Sequence, residues 1–155
     1  MDCKEFWKII EETKPKKDND FNSQKSKFHI ELEKYSDDDL KKAQAFLNKY
    51  YEMLDEVINI WELAYKYEIG DHHYWDFKRW VISKGFDLYK TIYKGNLDVI
   101  KNYITIKNGI TYGVEFEGFS FMDRISENCY KHDSDYFGYE RLHGGDITEI
   151  EFSLR

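Results

Sequence analysis

The segment from Ser36 to Tyr67 constrains the fold more than any other stretch of the chain. It reads "SDDDLKKAQAFLNKYYEMLDEVINIWELAYKY". Ser36 is a favourable N-cap, and the three aspartates that follow it complement the positive end of a helix dipole. Apolar residues then recur in steps of three and four, as on one face of a helix: Leu40, Ala43, Leu47, Tyr50, Leu54, Val57, Trp61 and Ala64. The pattern predicts one long helix, or two helices joined near Asp55.

The width of this apolar face indicates what it packs against. A coiled-coil dimer uses a narrow stripe, whereas a helix inside a globular core carries additional apolar positions. Here the stripe is widened by Phe46, Tyr51, Ile58, Ile60 and Leu63. We therefore expect the stripe to form an intramolecular core, with self-association through Leu40–Ala64 as the alternative.

Helical signals of the same kind recur through the first two thirds of the chain. The predicted helices run from a cap at Asp2 to about Lys14, from Ser23 to Tyr35, from His72 to Lys84, from Phe86 to Tyr93 and from Asn96 to Tyr103. A chain of 155 residues fits one hydrophobic core. We expect a mainly α-helical, compact single domain over residues 1–155, with a helical core at 1–105 and a C-terminal extension at 106–155.

The C-terminal third has weaker and more mixed signals. Ile110, Tyr112, Val114 and Phe116 alternate with polar residues, and so do Ile150, Phe152 and Leu154. Such alternation is typical of strands, so a small β ribbon is compatible with this end of the chain. Between the two stretches, Phe119–Lys131 fits a helix whose inward side carries Phe121, Met122, Ile125 and Cys129.

Charge and composition narrow the classes of function. The formal net charge is −7 and the pI about 5.3, which argues against a nucleic-acid-binding protein. An acidic surface favours a basic protein partner, although net charge also serves solubility. The two cysteines form no CxxC motif, the N-terminus lacks a signal-peptide pattern, and no apolar run reaches membrane-spanning length. We therefore expect a cytoplasmic protein without a membrane or a cofactor, as a monomer or weak homo-oligomer.

The stretch "INIWELAYKYEIGDHHYWDFKRWVISKG" resembles the bacterial domain of unknown function 4240, some members of which carry a molybdenum metabolism regulator label. In that family a helix closes with Trp and Tyr, and a glycine turn with an acid leads into a second helix with spaced aromatics. The matching core positions are Trp61, Tyr65, Gly70, Asp71, Phe77, Trp80 and Gly85. Lys78 matches the basic position of the second helix, and "EFWKIIEE" is similar to the family's opening.

Two positions depart from that family pattern. His72 stands where the family often has a second acid, and Leu63 stands at a small-residue position. The family has no agreed activity, so the resemblance implies no catalytic residues.

The Asp71–Asp76 stretch admits two interpretations. In the structural one, Asp71 caps a helix, His72 and His73 stay neutral near the positive helix end, and Asp76 pairs with Arg79 or Lys78. In the alternative, a metal-dependent hydrolase is built from His72, Asp76, His132 and Asp133. The "HD" at His132–Asp133 is common by chance in a chain this rich in aspartate, so the structural interpretation is favoured.

A second short motif, "LHGGD" at Leu142–Asp146, contains a glycine pair. Glycine pairs bind phosphate where a helix follows, but the alternation after Asp146 predicts a strand, so we expect a simple turn. With no coherent catalytic set, the sequence favours a non-enzymatic protein-binding or regulatory module. An inhibitor or immunity-type partner of a basic toxin is one hypothesis within that class.

Overall fold

The structure, a computed structural model, describes residues 1–15, 20–57, 74–103, 105–107, 110–112, 125 and 142–155. Its helices are α1 (Cys3–Thr13), α2 (Phe21–Leu32), α3 (Asp37–Asp55), α4 (Tyr74–Ser83), α5 (Phe86–Tyr93), a 3-10 helix (Leu97–Asn102) and α6 (Gly144–Leu154). The strands β1 (Thr105–Lys107) and β2 (Ile110–Tyr112) pair antiparallel, with Ile106 opposite Thr111. The predicted mainly α-helical class is confirmed. None of the described helices combines the length and the hydrophobicity needed to span a membrane.

Helix α3 is the central element of the described core. The Ser36 hydroxyl accepts a hydrogen bond from the Asp39 backbone N–H, as predicted for an N-cap. The helix ends at Asp55, so the single long helix is wrong and the break near Asp55 is confirmed. The predicted stripe up to Leu54 is buried between α1 and α4, which leaves this half no free face for a coiled coil. Its continuation from Ile58 to Ala64 lies outside the described residues.

Helix α1 closes one side of α3 with aromatic rings. Asp2 and Glu5 form a reciprocal capping box, and the apolar residues Phe6, Trp7, Ile9 and Ile10 of this helix are all buried. The Tyr50 ring lies at the centre of this cluster, 4.8 Å from Trp7 and 5.0 Å from Tyr89 between ring centroids. The Tyr89 hydroxyl donates to the Tyr50 carbonyl at 2.8 Å, and burial raises the pKa of both phenols. Most of the aromatic side chains whose burial the structure describes therefore belong to the core.

The junction between α4 and α5 is held by side chains from distant helices. Gln24 donates to the Ser83 carbonyl at 2.8 Å and Lys14 to the Lys84 carbonyl at 3.2 Å, which satisfies the C-terminal end of α4. The Glu11 carboxylate accepts from the Phe86 N–H at 3.1 Å at the start of α5. Each charge has the sign that the adjacent helix end favours.

Gly85 is required at this junction for two reasons. Its φ is +100°, a conformation that side-chain-bearing residues rarely adopt. A Cβ atom there would also collide with Oε1 of Glu11. The family-like glycine therefore has a structural role.

Helix α2 begins earlier and ends earlier than predicted. Its N-cap is Asp20, whose carboxylate accepts from the Ser23 N–H at 3.1 Å, and its last residue is Leu32 rather than Tyr35. Phe28 and Leu32 are fully buried, whereas Ile30 is 60% exposed and does not belong to the core.

The next two predictions after α4 hold with one adjustment. Helix α5 has the predicted bounds. The segment predicted from Asn96 to Tyr103 is a 3-10 helix, and Asn96 precedes it without a side-chain cap hydrogen bond.

The predicted strand in "IEFSLR" is wrong, because this segment is the end of helix α6. Ile150 and Leu154 lie one helical turn apart and are buried, while Phe152 between them is 74% exposed. The three apolar residues that suggested a strand therefore do not share one face, because two of them point inward and one points outward. The ammonium groups of Lys90 and Lys94 donate at 2.9 Å to the carbonyls of Ser153 and Arg155 and so complete the helix end.

The predicted C-terminal ribbon therefore does not form between these two segments. The strand that begins at Ile110 pairs with β1 instead. Val114 and Phe116 lie outside the described residues, as does the predicted helix Phe119–Lys131 apart from Ile125, which is buried.

Candidate protein-binding site at Trp75

The described family-like residues of α4 have structural roles. Phe77 and Trp80 are fully buried with ring centroids 5.8 Å apart, and Trp80 also meets Tyr103 edge-on at 5.5 Å. With Gly85 at the α4–α5 junction, these residues build the core and its turn. The remaining predicted core positions, Trp61, Tyr65, Gly70 and Asp71, lie outside the described residues.

The alternative hydrolase site gains no support from the residues that the structure describes. Asp76 pairs with Arg79 at 2.8 Å, one of the two partners that the sequence predicted. Within the described ranges, no group of three or more His, Cys, Asp or Glu residues is arranged to hold a metal ion. His72, His132 and Asp133 lie outside those ranges, so their predicted convergence stays a prediction.

The glycine pair at Gly144–Gly145 begins a helix, so the expected turn before a strand is wrong. A carboxylate already serves this helix start, because Asp146 accepts from the His143 N–H at 3.0 Å and pairs with Lys42 at 3.1 Å. Burial alone would raise the pKa of Asp146, but these two partners hold it below its usual value. A phosphate group here would meet a like charge, which disfavours it.

One side chain in α4 breaks the pattern of a helical core. The side chain of Lys78 is only 1% exposed, although lysine is rarely buried. Its ammonium donates to both carboxylate oxygens of Asp55, at 2.9 and 3.2 Å, across the gap between α3 and α4. It also lies 3.7 Å from the centroid of the Trp75 ring and 5.9 Å from that of Tyr51.

Burying this ammonium carries a net electrostatic cost. Burial lowers the pKa of Lys78, while Asp55 raises it, and the result lies below the usual value for lysine. The carboxylate therefore compensates only part of the lost hydration. Since an apolar side chain of similar length would avoid this cost, core stability alone does not account for a lysine at this position.

The ring above Lys78 is the exposed part of the arrangement. Trp75 is 50% exposed, although it belongs to the first turn of a helix whose later residues are buried. Its ring meets Tyr51 edge-on at 5.6 Å and lies over the ammonium of Lys78. The result is an indole with one supported face and a substantial area in solvent.

Comparison with known proteins places the chain in a family. The family model described as "Protein of unknown function (DUF4240)" matches residues 1–141. The chain belongs to the DUF4240 family. The predicted resemblance is thus confirmed, and the match covers most of the 155-residue chain. No curated protein and no solved structure matches this chain.

The sequence of this DUF4240 protein contained a signal for the Trp75 arrangement. Phe77, Trp80 and Val81 are separated by the steps of three and four that place residues on one side of a helix. Lys78 lies three and four positions before Val81 and Ile82, so it shares their side of α4. A lysine in an otherwise apolar arc indicates a buried charge with a partner. That partner could not be identified locally, because Asp55 lies 23 residues earlier in the chain.

Proposed function

We propose that this DUF4240 protein is a non-enzymatic protein-binding module whose contact surface includes the exposed face of Trp75. The observation that carries this proposal is the half-exposed indole supported from below by the Lys78 ammonium and at its edge by Tyr51. The remainder of the described aromatic cluster around Tyr50 is accounted for by core packing.

A supported tryptophan has the properties of an interface anchor. Tryptophan, tyrosine and arginine are the residues that most often dominate binding energy, and they bury large areas with few rotatable bonds. Trp75 presents such an area, and Arg79 lies one turn further along the same helix, 19% exposed at its side chain. A ring that is already fixed loses less conformational entropy when a partner covers it.

The charge of the chain favours a basic partner. A formal net charge of −7 attracts a cationic protein and speeds the encounter, and salt screens this attraction. Within this class, an inhibitor or immunity-type role towards a basic toxin fits a small acidic protein. The hydrolase alternative has no supporting observation among the described residues.

The experiment is an affinity pull-down from the host with three baits in parallel: the wild-type chain, Trp75→Ala and Phe152→Ala. Phe152 is the matched control, since it is an exposed aromatic at 74% in helix α6. We expect the wild type and Phe152→Ala to recover the same specific, basic protein. Trp75→Ala should recover at least tenfold less, the loss typical of an interface anchor. Raising the salt from low to about 0.5 M should weaken all recovery.

Two results would count against the proposal. Recovery of no specific protein at low salt contradicts a protein-binding function altogether. Equal recovery by Trp75→Ala and the wild type retains protein binding but removes Trp75 from the contact surface.

A further inference from the structure

We infer that Lys78 is a positioning residue, whose buried ammonium fixes the ring of Trp75 in one orientation on the surface. Only the use of the fixed ring in protein binding rests on the proposed function. The orientation itself is a property of the free protein and is measured without any partner.

The geometry gives the ammonium a defined position. It is held by both oxygens of Asp55, at 2.9 and 3.2 Å, so it projects from α4 towards the end of α3 rather than to solvent. The centroid of the Trp75 ring lies 3.7 Å away, well within the range of a cation–π contact. The attraction depends on the face of the ring, so it favours one orientation of the indole over rotation about its side-chain bonds.

Apolar packing alone does not fix the ring to the same extent. Half of Trp75 is in solvent, and Tyr51 meets it at one edge with perpendicular planes. An exposed side chain ordinarily changes rotamer within nanoseconds. The directional contact from below is therefore the feature that distinguishes this indole from an ordinary surface tryptophan.

The electrostatic cost of Lys78 points in the same direction. Burial of the ammonium outweighs its attraction to Asp55, so the pKa of Lys78 is lowered. A residue that costs stability while it orders an exposed ring fits a role in binding better than a role in folding.

The test measures the mobility of the Trp75 indole N–H by ¹⁵N relaxation in the free protein. The chain has four tryptophans, and Trp75→Phe identifies which of the indole signals belongs to Trp75. The test variant is Lys78→Met, which keeps the length of the side chain and removes its charge. The matched control is Lys84→Met, because Lys84 is also buried and its ammonium lies 5.8 Å from the Tyr103 ring, away from Trp75.

We expect the wild type and Lys84→Met to give an order parameter near about 0.85, as in rigid parts of proteins. Lys78→Met should fall towards about 0.6 or below, in the flexible range. Lys78→Arg should keep most of the order, since a guanidinium also makes the cation–π contact. With a captured partner available, Lys78→Met should weaken binding about three- to tenfold, less than Trp75→Ala does.

A rigid Trp75 indole in Lys78→Met overturns the inference, and so does an unfolded Lys78→Met together with an unfolded Lys78→Gln, because Lys78 would then serve the fold. A mobile ring in Lys78→Met with unchanged partner binding supports the positioning role and counts against the use of Trp75 in binding. The two proposals can therefore fail separately.

Discussion

The two ends of helix α4 differ in whether their side chains are explained by the stability of the fold. At its C-terminal end the chain turns at Gly85, where Lys14 donates to the Lys84 carbonyl and Glu11 accepts from the Phe86 N–H. At its N-terminal end a tryptophan lies half in solvent and a lysine is buried at a net electrostatic cost. One end is explained by stability alone. The other end is explained only if its surface is used, which is why we place the candidate site there.

The largest effect expected from this comparison distinguishes two tryptophans of the same helix. Trp80 is fully buried, so Trp80→Ala should lower the free energy of unfolding by about 3–5 kcal/mol. Trp75→Ala should cost only about 1 kcal/mol, because half of its ring is already exposed. Urea titrations followed by circular dichroism measure both values. Equal costs would mean that Trp75 is a core residue and would remove the contrast between the two ends.

A smaller effect is expected at the turn. Gly85→Ala should cost about 2–3 kcal/mol, because alanine disfavours the positive φ and its Cβ displaces Glu11 from the Phe86 N–H. Gly95→Ala is the control, since Gly95 has a φ of +85° but no atom within 4 Å of a Cβ at that position. It should therefore cost only the backbone part, about 1–2 kcal/mol.

A double variant isolates the Glu11 contribution. In a Glu11→Ala background, Gly85→Ala should cost less than it does in the wild type, because the cap that it would displace is already absent. An undiminished cost in that background would show that Glu11 does not explain the requirement for glycine.

The sequence predicted what depends on neighbouring residues. The Asp2 and Ser36 caps, the stripe from Leu40 to Leu54 and the bounds of α5 follow from local spacing, and each is present in the structure. Helix α6 was mistaken for a strand because Ile150, Phe152 and Leu154 alternate, and only burial reveals that Phe152 faces outward.

The contacts at both ends of α4 could not be predicted from local patterns. Glu11 and Phe86 are 75 residues apart, and Lys78 and Asp55 are 23 apart. No local rule selects these partners from the 30 acidic residues of the chain. The candidate site therefore depends on how distant helices pack together, whereas the core residues Phe77 and Trp80 follow from the family resemblance in the sequence.

The last prediction concerns the two partners of the buried ion pair, which should respond unequally. Asp55→Asn leaves the Lys78 ammonium buried with a weaker acceptor. It should cost about 1–2 kcal/mol, less than a fully buried pair would, because the Asp55 side chain is 46% exposed. The free energy of unfolding of Lys78→Met should be within about 1 kcal/mol of the wild-type value or higher, because the substitution removes a group whose charged form the folded state disfavours.

The pH dependence of stability tests whether the Lys78 charge destabilises the folded state. With a folded-state pKa below the unfolded one, Lys78 binds more protons in the unfolded chain, so its electrostatic cost is present at neutral pH and declines as the pH rises through the folded-state pKa. The stability of the wild type relative to Lys78→Met should therefore increase towards alkaline pH. If Lys78→Met instead costs as much as Trp80→Ala at pH 7, the ammonium stabilises the fold. Both ends of α4 would then be explained by stability, and the case for a binding surface at Trp75 would lose its main physical argument.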